Sequence, residues 1–206
     1  MRPLSFAAFL SLDGVMQAPG GPDEDTSGGF TYGGWTVPFA DGSGEVMGGA
    51  LARPFELVLG RRTYDIFAGY WPHVPEGAPH RGIADAFNGT VKHVATHYPG
   101  TLAWQHSRAL GEDVVTRLRE LKVGDGPDLL VIGSSELMRQ LLATDLVDEM
   151  RLLTYPVLLG QGKRLFDGNA QPAAFRLASS TTSPAGVIIA RYVRAGEVKT
   201  GSFDPE

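Results

Sequence analysis

An apolar run that passes through a single glycine into a helical pattern constrains this chain most strongly, and it occurs twice. Leu129 to Ile132 form a short apolar run, Gly133 follows, and apolar residues then recur at helical spacing from Leu137 to Leu142. Leu57 to Asp65, which reads LVLGRRTYD, has the same order of strand, glycine and helix-like start. Strands separated by helices in this way favour βαβ units and a sheet that is at least partly parallel.

The end of the chain follows a different pattern. The segments FRLASSTTS and GVIIARYVR flank Pro184 with no helix between them, which predicts an antiparallel hairpin at the edge of the sheet. Further strands are predicted at Leu4 to Leu12, in TVKHVAT and in TLAWQ, and a surface helix at Glu112 to Leu121. The predicted fold class is therefore α/β.

Composition excludes several classes of protein. With 206 residues and 43% apolar composition, the chain can bury one substantial core, so residues 1–206 are expected to form a single domain. A net charge of −5 gives no general attraction to nucleic acid or to anionic membranes. The chain has no cysteine, no apolar run of membrane-spanning length and no histidines at i, i+4 with a carboxylate partner. We expect a soluble cytoplasmic protein without a metal, a nucleic-acid partner or a membrane partner.

The turn after the strand at Leu129 to Ile132 allows two interpretations. Ser134 or Ser135 can cap the following helix, and Glu136 in its first turn suits the helix dipole. Alternatively, Gly133 lets an anion such as a phosphate approach the free amides at the helix start. Periodicity alone leaves both interpretations open.

The turn after the strand at Leu57 to Leu59 carries two arginines. Arg61 and Arg62 offer planar charged groups suited to phosphate oxygens, and Thr63 adds a hydroxyl, although an exposed arginine pair with a capping threonine explains the same residues. Thr96 and His97 follow a third predicted strand, in the same position relative to the strand end as the two glycine turns. Because ligands of open α/β sheets bind outside the carboxyl ends of the strands, the three ends together predict a phosphate-bearing ligand. Neither glycine turn is a standard dinucleotide or P-loop fingerprint.

Several segments in their order along the chain form a recognisable pattern. They are SLDG, GGW, LVLGRRTYD, VKHVAT, LLVIGSSELMRQLL, LVDEMRLLTYPVLLGQGKRLF and the closing hairpin. The whole pattern is similar to the dihydrofolate reductase-like superfamily, and more closely to the branch shared with the reductase domain of the bifunctional riboflavin-biosynthesis deaminase-reductase. The resemblance covers almost the whole chain.

The resemblance implies a mixed central sheet flanked by helices, NADPH as the hydride donor, and a homodimer. It also assigns roles to residues. The turn Gly60, Arg61, Arg62 and Thr63 would meet the adenosine phosphates, with Thr96 and His97 near the adenosine, while Gly133, Ser134, Ser135, Glu136 and Leu137 would hold the pyrophosphate. Ala8, Ser11, Asp13, Gly14 and Val15 would flank the nicotinamide and the substrate.

The substrate end departs from the riboflavin reductase pattern, because Val15 and Met16 stand where a lysine commonly follows the SLDG turn. The proton for reduction could come from Asp13, Asp41, Glu45 or solvent, although Asp41 and Glu45, each taken alone, are better explained as solvated loop charges. Trp35, in the Gly-rich segment Gln17 to Gly49, is either a packing anchor or a cover for a planar substrate beneath an ordered lid.

The sequence thus predicts a stand-alone NADPH-dependent reductase acting on a flat heterocycle of the pterin or riboflavin-pathway aminopyrimidine type. The alternative is a nucleotide-binding module of the same fold without efficient reduction. The long apolar run Val147 to Leu159 and the strand Val187 to Val193 exceed what one small sheet readily covers, which also favours the homodimer.

Overall fold

The computed structural model describes residues 1–40, 51–166 and 171–203, and in these ranges eight strands form one sheet with α-helices around it. The α-helices are α1 (Arg61–Tyr70), α2 (Arg81–Gly89), α3 (Val114–Val123) and α4 (Ser135–Leu142). The strands are β1 (Leu4–Leu10), β2 (Phe55–Gly60), β3 (Lys92–Ala95), β4 (Ser107–Ala109), β5 (Asp128–Ile132), β6 (Glu149–Thr154), β7 (Ala174–Thr182) and β8 (Ile188–Gly196).

The strand order across the sheet is β4-β3-β2-β5-β1-β6-β8-β7. The first six strands in this order are parallel, whereas β8 runs antiparallel to both β6 and β7. The mixed α/β sheet and the antiparallel hairpin at the end of the chain confirm the predicted fold class. The carboxyl ends of β2, β3 and β5 consequently lie side by side at one end of the parallel strands.

Alternating side chains give the sheet two buried faces. In β5, Leu129 and Val131 join one core cluster, which includes Leu118 of α3 and Leu141 of α4. The intervening Leu130 joins a second cluster with residues of α1 and α2. A strand buried on both faces reads as a continuous apolar run, because neither face of it meets water. This is why the runs in β2 and β5 lack polar alternation.

One predicted strand is absent, and one helix was not predicted. TLAWQ is not a strand, because the backbone amide of Trp104 bonds the hydroxyl of Tyr64 and the Trp104 indole bonds the side chain of Asn88. These side-chain acceptors take the place of ladder partners, and the strand at this edge is β4. The helix α2 was not predicted, since the segment Pro72 to Gly82, which runs into its first residues, is rich in proline and glycine.

A third core cluster fixes the described part of the Gly-rich segment to the sheet. The Trp35 indole donates to the carbonyl of Gln17 at 2.8 Å, and its ring meets Tyr155 edge-on with centroids 5.2 Å apart. Phe39 packs against the same tyrosine at 5.7 Å, and Phe30 is buried nearby. Edge-to-face aromatic pairs hold a chain segment without regular secondary structure. Residues 17–40 are therefore ordered by their apolar side chains.

None of the helices in the described ranges is long and apolar enough to cross a lipid bilayer.

Lys92 is fully buried at the start of β3 without a carboxylate among its contacts. Its ammonium donates to the carbonyls of Asn88 and Gln105 at 2.9 and 3.1 Å and lies 4.2 Å from the centroid of the Trp104 ring. Burial lowers the pKa of Lys92 to about 8, because removal from water disfavours the charged form. The folded protein therefore releases this proton at a lower pH than the unfolded chain does.

We expect the free energy of unfolding to rise by about 1 to 2 kcal/mol from Lys92 alone between pH 8 and pH 10. In that range the unfolded chain still binds the proton that folded Lys92 has lost, so a rise in pH favours folding. Urea unfolding of the wild type and of Lys92→Met across this range measures the difference. Tyr155, whose pKa burial raises to about 12, is present in both proteins and cancels. Parallel pH curves for the two proteins would contradict the prediction.

Candidate functional site

A cavity of about 810 Å³ opens at the carboxyl ends of β2, β3 and β5. This volume lies within the range of pockets that enclose a small ligand or a cofactor. All residues that the sequence assigned to phosphate and adenosine binding line it. They are Gly60, Arg61, Arg62, Thr63, Thr96, His97, Gly133, Ser134, Ser135, Glu136 and Leu137. The fold thus brings three separate strand ends to one place.

The hydroxyl of Ser134 joins two of these strand ends. It accepts a hydrogen bond from the backbone amide of Gly60 at 2.8 Å and donates to the Thr63 hydroxyl at 2.8 Å. It makes no side-chain capping bond to its own helix, although it occupies the N-cap position of α4. The capping explanation does not apply to this serine, which instead connects the start of α1 to the start of α4.

Glycine at each of these turns favours the close approach. Gly133 has a φ of 64°, and a Cβ there would lie 3.1 Å from Cγ2 of Thr63. A Cβ on Gly60 would lie 3.1 Å from the Cβ of Ser134. With no side chains intervening, α1 and α4 begin beside each other at the cavity. The first amides of each helix lack acceptors within the helix, which is the arrangement that binds phosphate groups.

Arg61 extends from the start of α1 toward the end of β3. Its Nε donates to the carboxylate of Asp65 at 2.9 and 3.0 Å, and one terminal nitrogen donates to the Thr101 hydroxyl at 2.5 Å. The same nitrogen lies 3.4 Å from the Thr96 hydroxyl. Arg61 therefore presents a positively charged group between two strand ends that line the cavity.

Arg62 points in another direction, to a carboxylate in the Gly-rich segment. Its Nη1 donates to both oxygens of Asp25 at 2.8 and 2.9 Å, and Lys163 donates to the same carboxylate at 2.6 Å. Burial acts to raise the pKa of Asp25, but the hydrogen bonds from Lys163, Ser27 and Arg62 hold that pKa well below its usual range. Asp25 is therefore an anion at any pH near neutrality.

Glu24, next to Asp25, also lines the cavity, but its pKa is shifted in the opposite direction. Burial raises its pKa, although its carboxylate accepts hydrogen bonds from the amides of Gly20 and Gly21 at 2.6 and 3.2 Å. The negative charge of Asp25 also raises it. Sequence analysis did not single out these two residues; the acidic run PDED inside a glycine-rich loop was the available signal.

The residues expected around the nicotinamide and substrate do not line the cavity. Ala8 is fully buried in the core, and Ser11 uses its hydroxyl to accept from the amide of Val15 at 2.9 Å and to donate to Asp13 at 2.6 Å. Their neighbours Met16, Gln17 and Ala18 line it instead. Gly14 is a turn residue with a φ of 78°. The SLDG turn thus lies behind the cavity wall.

Asp13 is bound as a structural anion. Its carboxylate accepts from the amides of Leu159 and Gly160 at 3.1 and 2.9 Å and from Arg164 at 3.1 Å. Burial acts to raise its pKa, but the hydrogen bonds from Ser11 and these amides hold it well below the usual range. A carboxylate so stabilised gives up a proton too readily to store one, so the structure argues against Asp13 as the proton donor.

Trp35 also lies outside the cavity lining, because its ring is buried in the third core cluster. This position fits a packing anchor and not a cover for a planar substrate. Asp41 and Glu45 lie outside the described residues.

These features define an α/β protein with a cavity at the carboxyl ends of its parallel strands. The chain belongs to the RibD C-terminal domain family, whose model matches residues 3–189, and this family is the reductase domain of riboflavin biosynthesis. The resemblance given by the sequence motifs is thereby confirmed.

Two Bacillus subtilis (strain 168) proteins are related in sequence. "Uncharacterized protein YyaP" is 24% identical over 132 residues, which cover 64% of this chain and 70% of that protein. "Uncharacterized protein YwjB" is 25% identical over 139 residues, which cover 68% and 73%. Both relatives match about two thirds of the chain.

Two crystal structures share the fold. The "Putative riboflavin biosynthesis protein" from Shewanella sp. PV-4 has a TM-score of 0.61 at 20% identity and covers 94% of this chain and 99% of its own. A "pyrimidine reductase-like protein" from Corynebacterium diphtheriae has a TM-score of 0.54 at 13% identity and covers 95% and 93%. At such identities the similarity concerns the fold alone.

Replacing Ser134 tests the connection between the two turns. Ser134→Ala leaves the Gly60 amide without its acceptor, and we expect the free energy of unfolding to fall by about 1 kcal/mol. Hydrogen exchange of the Gly60 amide, followed by NMR, should become faster. Ser135→Ala, one residue further on, keeps both hydrogen bonds and should match the wild type in both measurements. Unchanged Gly60 exchange in Ser134→Ala would show that the hydroxyl does not hold the turns together.

Proposed function

We propose that this protein is an NADPH-dependent reductase that transfers hydride to a flat heterocycle of the pterin or riboflavin-pathway aminopyrimidine type. The observation that carries the proposal is the convergence of two glycine-bounded helix starts and Arg61 at one cavity. Membership of a reductase family supports the reaction class, and the two structural neighbours support the fold.

The described residues fit the cofactor. Gly133 and the amides that open α4 suit a pyrophosphate, because a helix start binds anions and the glycine keeps side chains out of the way. Arg61 and Thr63 suit the adenosine phosphates, and Thr96 and His97 stand at the neighbouring strand end. NADPH, when bound, supplies the hydride; the protein orients the acceptor beside it and excludes water.

Glu24 is our candidate for the proton. Glu24 lines the cavity and its pKa is raised above the usual range, chiefly by burial, which favours the protonated form that an acid needs. Reduction of a C=N bond consumes one hydride and one proton. In this proposal Glu24 donates the proton to the acceptor nitrogen, and solvent restores it afterwards.

A nucleotide-binding module without efficient reduction is the second candidate. The observation that favours it lies at the substrate end, where Val15 replaces the expected lysine and is fully buried. Two nearby cations, Arg62 and Lys163, are already paired with Asp25. Fewer unpaired cations in this part of the described lining would weaken the binding of a charged acceptor.

The homodimer expected from the sequence is part of the same proposal. In the described structure β7 is an edge strand, and apolar side chains on and near it are exposed, among them Leu158, Leu177 and Ile188. A second copy that covered them would remove apolar surface from water and protect the edge.

Turnover is the direct test of the proposed function. We expect NADPH oxidation with at least one acceptor from a panel of pterins, flavins and ribityl-pyrimidine intermediates. Glu24→Gln should lower kcat by about 10²-fold or more, the usual contribution of a positioned acid, while the Kd for NADPH stays within about twofold. Glu112→Gln, an exposed carboxylate in the same lining, is the control and should keep full activity. Clear NADPH binding with no turnover on any acceptor would favour the binding module.

Cofactor choice tests the role of Arg61. We expect the wild type to bind NADPH more tightly than NADH by about 1.5 to 3 kcal/mol, the range for a hydrogen bond to a charged group. Arg61→Ala should remove most of that preference because it removes the cation nearest the end of β3. Arg117→Ala, which changes an exposed arginine of α3 paired with Glu120, is the control. Equal affinities of the wild type for the two cofactors would refute the assignment.

A further inference from the structure

Three segments that are distant in sequence meet at the carboxylate of Asp25. Arg62 comes from the start of α1, Lys163 from the chain after β6, and Asp25 from the Gly-rich segment after β1. The distances are 2.8 and 2.9 Å to Arg62 and 2.6 Å to Lys163. All three residues line the cavity, and the carboxylate is only 11% exposed. The contact therefore lies within the cavity wall.

The position of Asp25 is fixed by neutral hydrogen bonds as well. Its carboxylate accepts from the hydroxyl and the amide of Ser27 at 2.6 and 3.1 Å. The side-chain amide of Gln17 donates to the carbonyls of Asp25 and Ser27 at 3.0 and 2.9 Å, while its oxygen accepts from the amide of Lys163 at 3.0 Å. One glutamine thus connects the segment that carries the anion to the segment that carries one of the cations.

The charges identify what the two cations are suited to bind. A guanidinium and an ammonium that converge on one point form a typical site for phosphate or carboxylate oxygens. Two positive charges against one carboxylate leave the trio with a net charge of +1, so a dianionic phosphate would balance the pair more completely. A phosphate cannot enter while the carboxylate is present, because two anions would then share one place.

We propose that Arg62 and Lys163 form an anion-binding subsite of the cavity that Asp25 fills, and that Asp25 is a specificity residue excluding phosphate monoesters from this end. As applied to the acceptor, this inference rests on the proposed reductase function, and it selects heterocycles without a phosphate group there. The subsite itself does not depend on any reaction. Specificity of this kind comes from a repulsive element, here a fixed negative charge.

Inorganic phosphate is the probe that tests the subsite. Isothermal titration calorimetry on the full chain compares the wild type with Asp25→Asn, which keeps the shape of the side chain and removes its charge. We expect Asp25→Asn to bind phosphate about tenfold more tightly than the wild type, or more. Glu112→Gln removes the same charge from the same cavity without touching either cation, and should match the wild type. Adding Arg62→Ala to Asp25→Asn should abolish the gain.

Each result decides the matter. Equal phosphate affinity in the wild type and Asp25→Asn, or a gain that survives Arg62→Ala, would overturn the proposal. A phosphate site elsewhere in the cavity would respond to Glu112→Gln as it does to Asp25→Asn, because each change removes one negative charge from the lining. Thermal unfolding checks that the variants are folded, and Asp25→Ser is the smaller substitution to use if Asp25→Asn is not. Failure of the reductase function would instead appear as a lack of NADPH oxidation, independent of the phosphate titrations.

Discussion

The approach of the Gly60 amide to the Ser134 hydroxyl is the contact on which the rest of the site depends. β2 and β5 are parallel neighbours, paired from Phe55 with Asp128 to Val58 with Val131, so the two strands end together on the same side of the sheet. Each must then turn into a helix within one or two residues. Glycine at both turns leaves room for the hydroxyl to join them, since a Cβ at either turn would lie 3.1 Å from the other, and two helix starts consequently open onto one cavity.

The Gly-rich segment is held in two chemically different ways. Trp35 and Phe39 bury their rings against Tyr155, which fixes the far part of the segment to the end of the sheet. Asp25 fixes the near part through ion pairs at the cavity. Dilute anions do not compete for apolar packing, whereas they compete directly for the cations of an ion pair. The segment therefore combines a permanent attachment with a contact that other charges can replace.

Periodicity predicted the parts of the fold that local sequence determines. The apolar runs of β2 and β5, their glycines and the amphipathic α4 followed directly from the spacing of residues, and the family resemblance placed them in one sheet. The polar residues of the two glycine turns were predicted to meet, and they line one cavity. These features can be predicted from residues that are neighbours in sequence or from the general rules of parallel sheets.

The remaining features depend on partners far away in sequence. Asp13 reads locally as a turn residue, and only the fold brings the amides of Leu159 and Gly160 to its carboxylate. Asp25 is paired with Lys163 across 138 positions of sequence. The TLAWQ segment has the composition of a strand, but the hydroxyl of Tyr64 and the amide of Asn88 satisfy its polar groups. No local pattern contains this information.

The buried amine of Lys92 has a practical consequence for observing motion at the β4 edge of the sheet. A neutral amine is a nucleophile, and the low pKa leaves a substantial fraction of Lys92 neutral at mildly alkaline pH. Because Trp104 and the C-terminal end of α2 at Asn88 enclose it, an acylating reagent reaches the nitrogen only when they move away. The rate at which Lys92 is labelled, relative to the exposed Lys199, would thus report how often this edge opens in the folded protein.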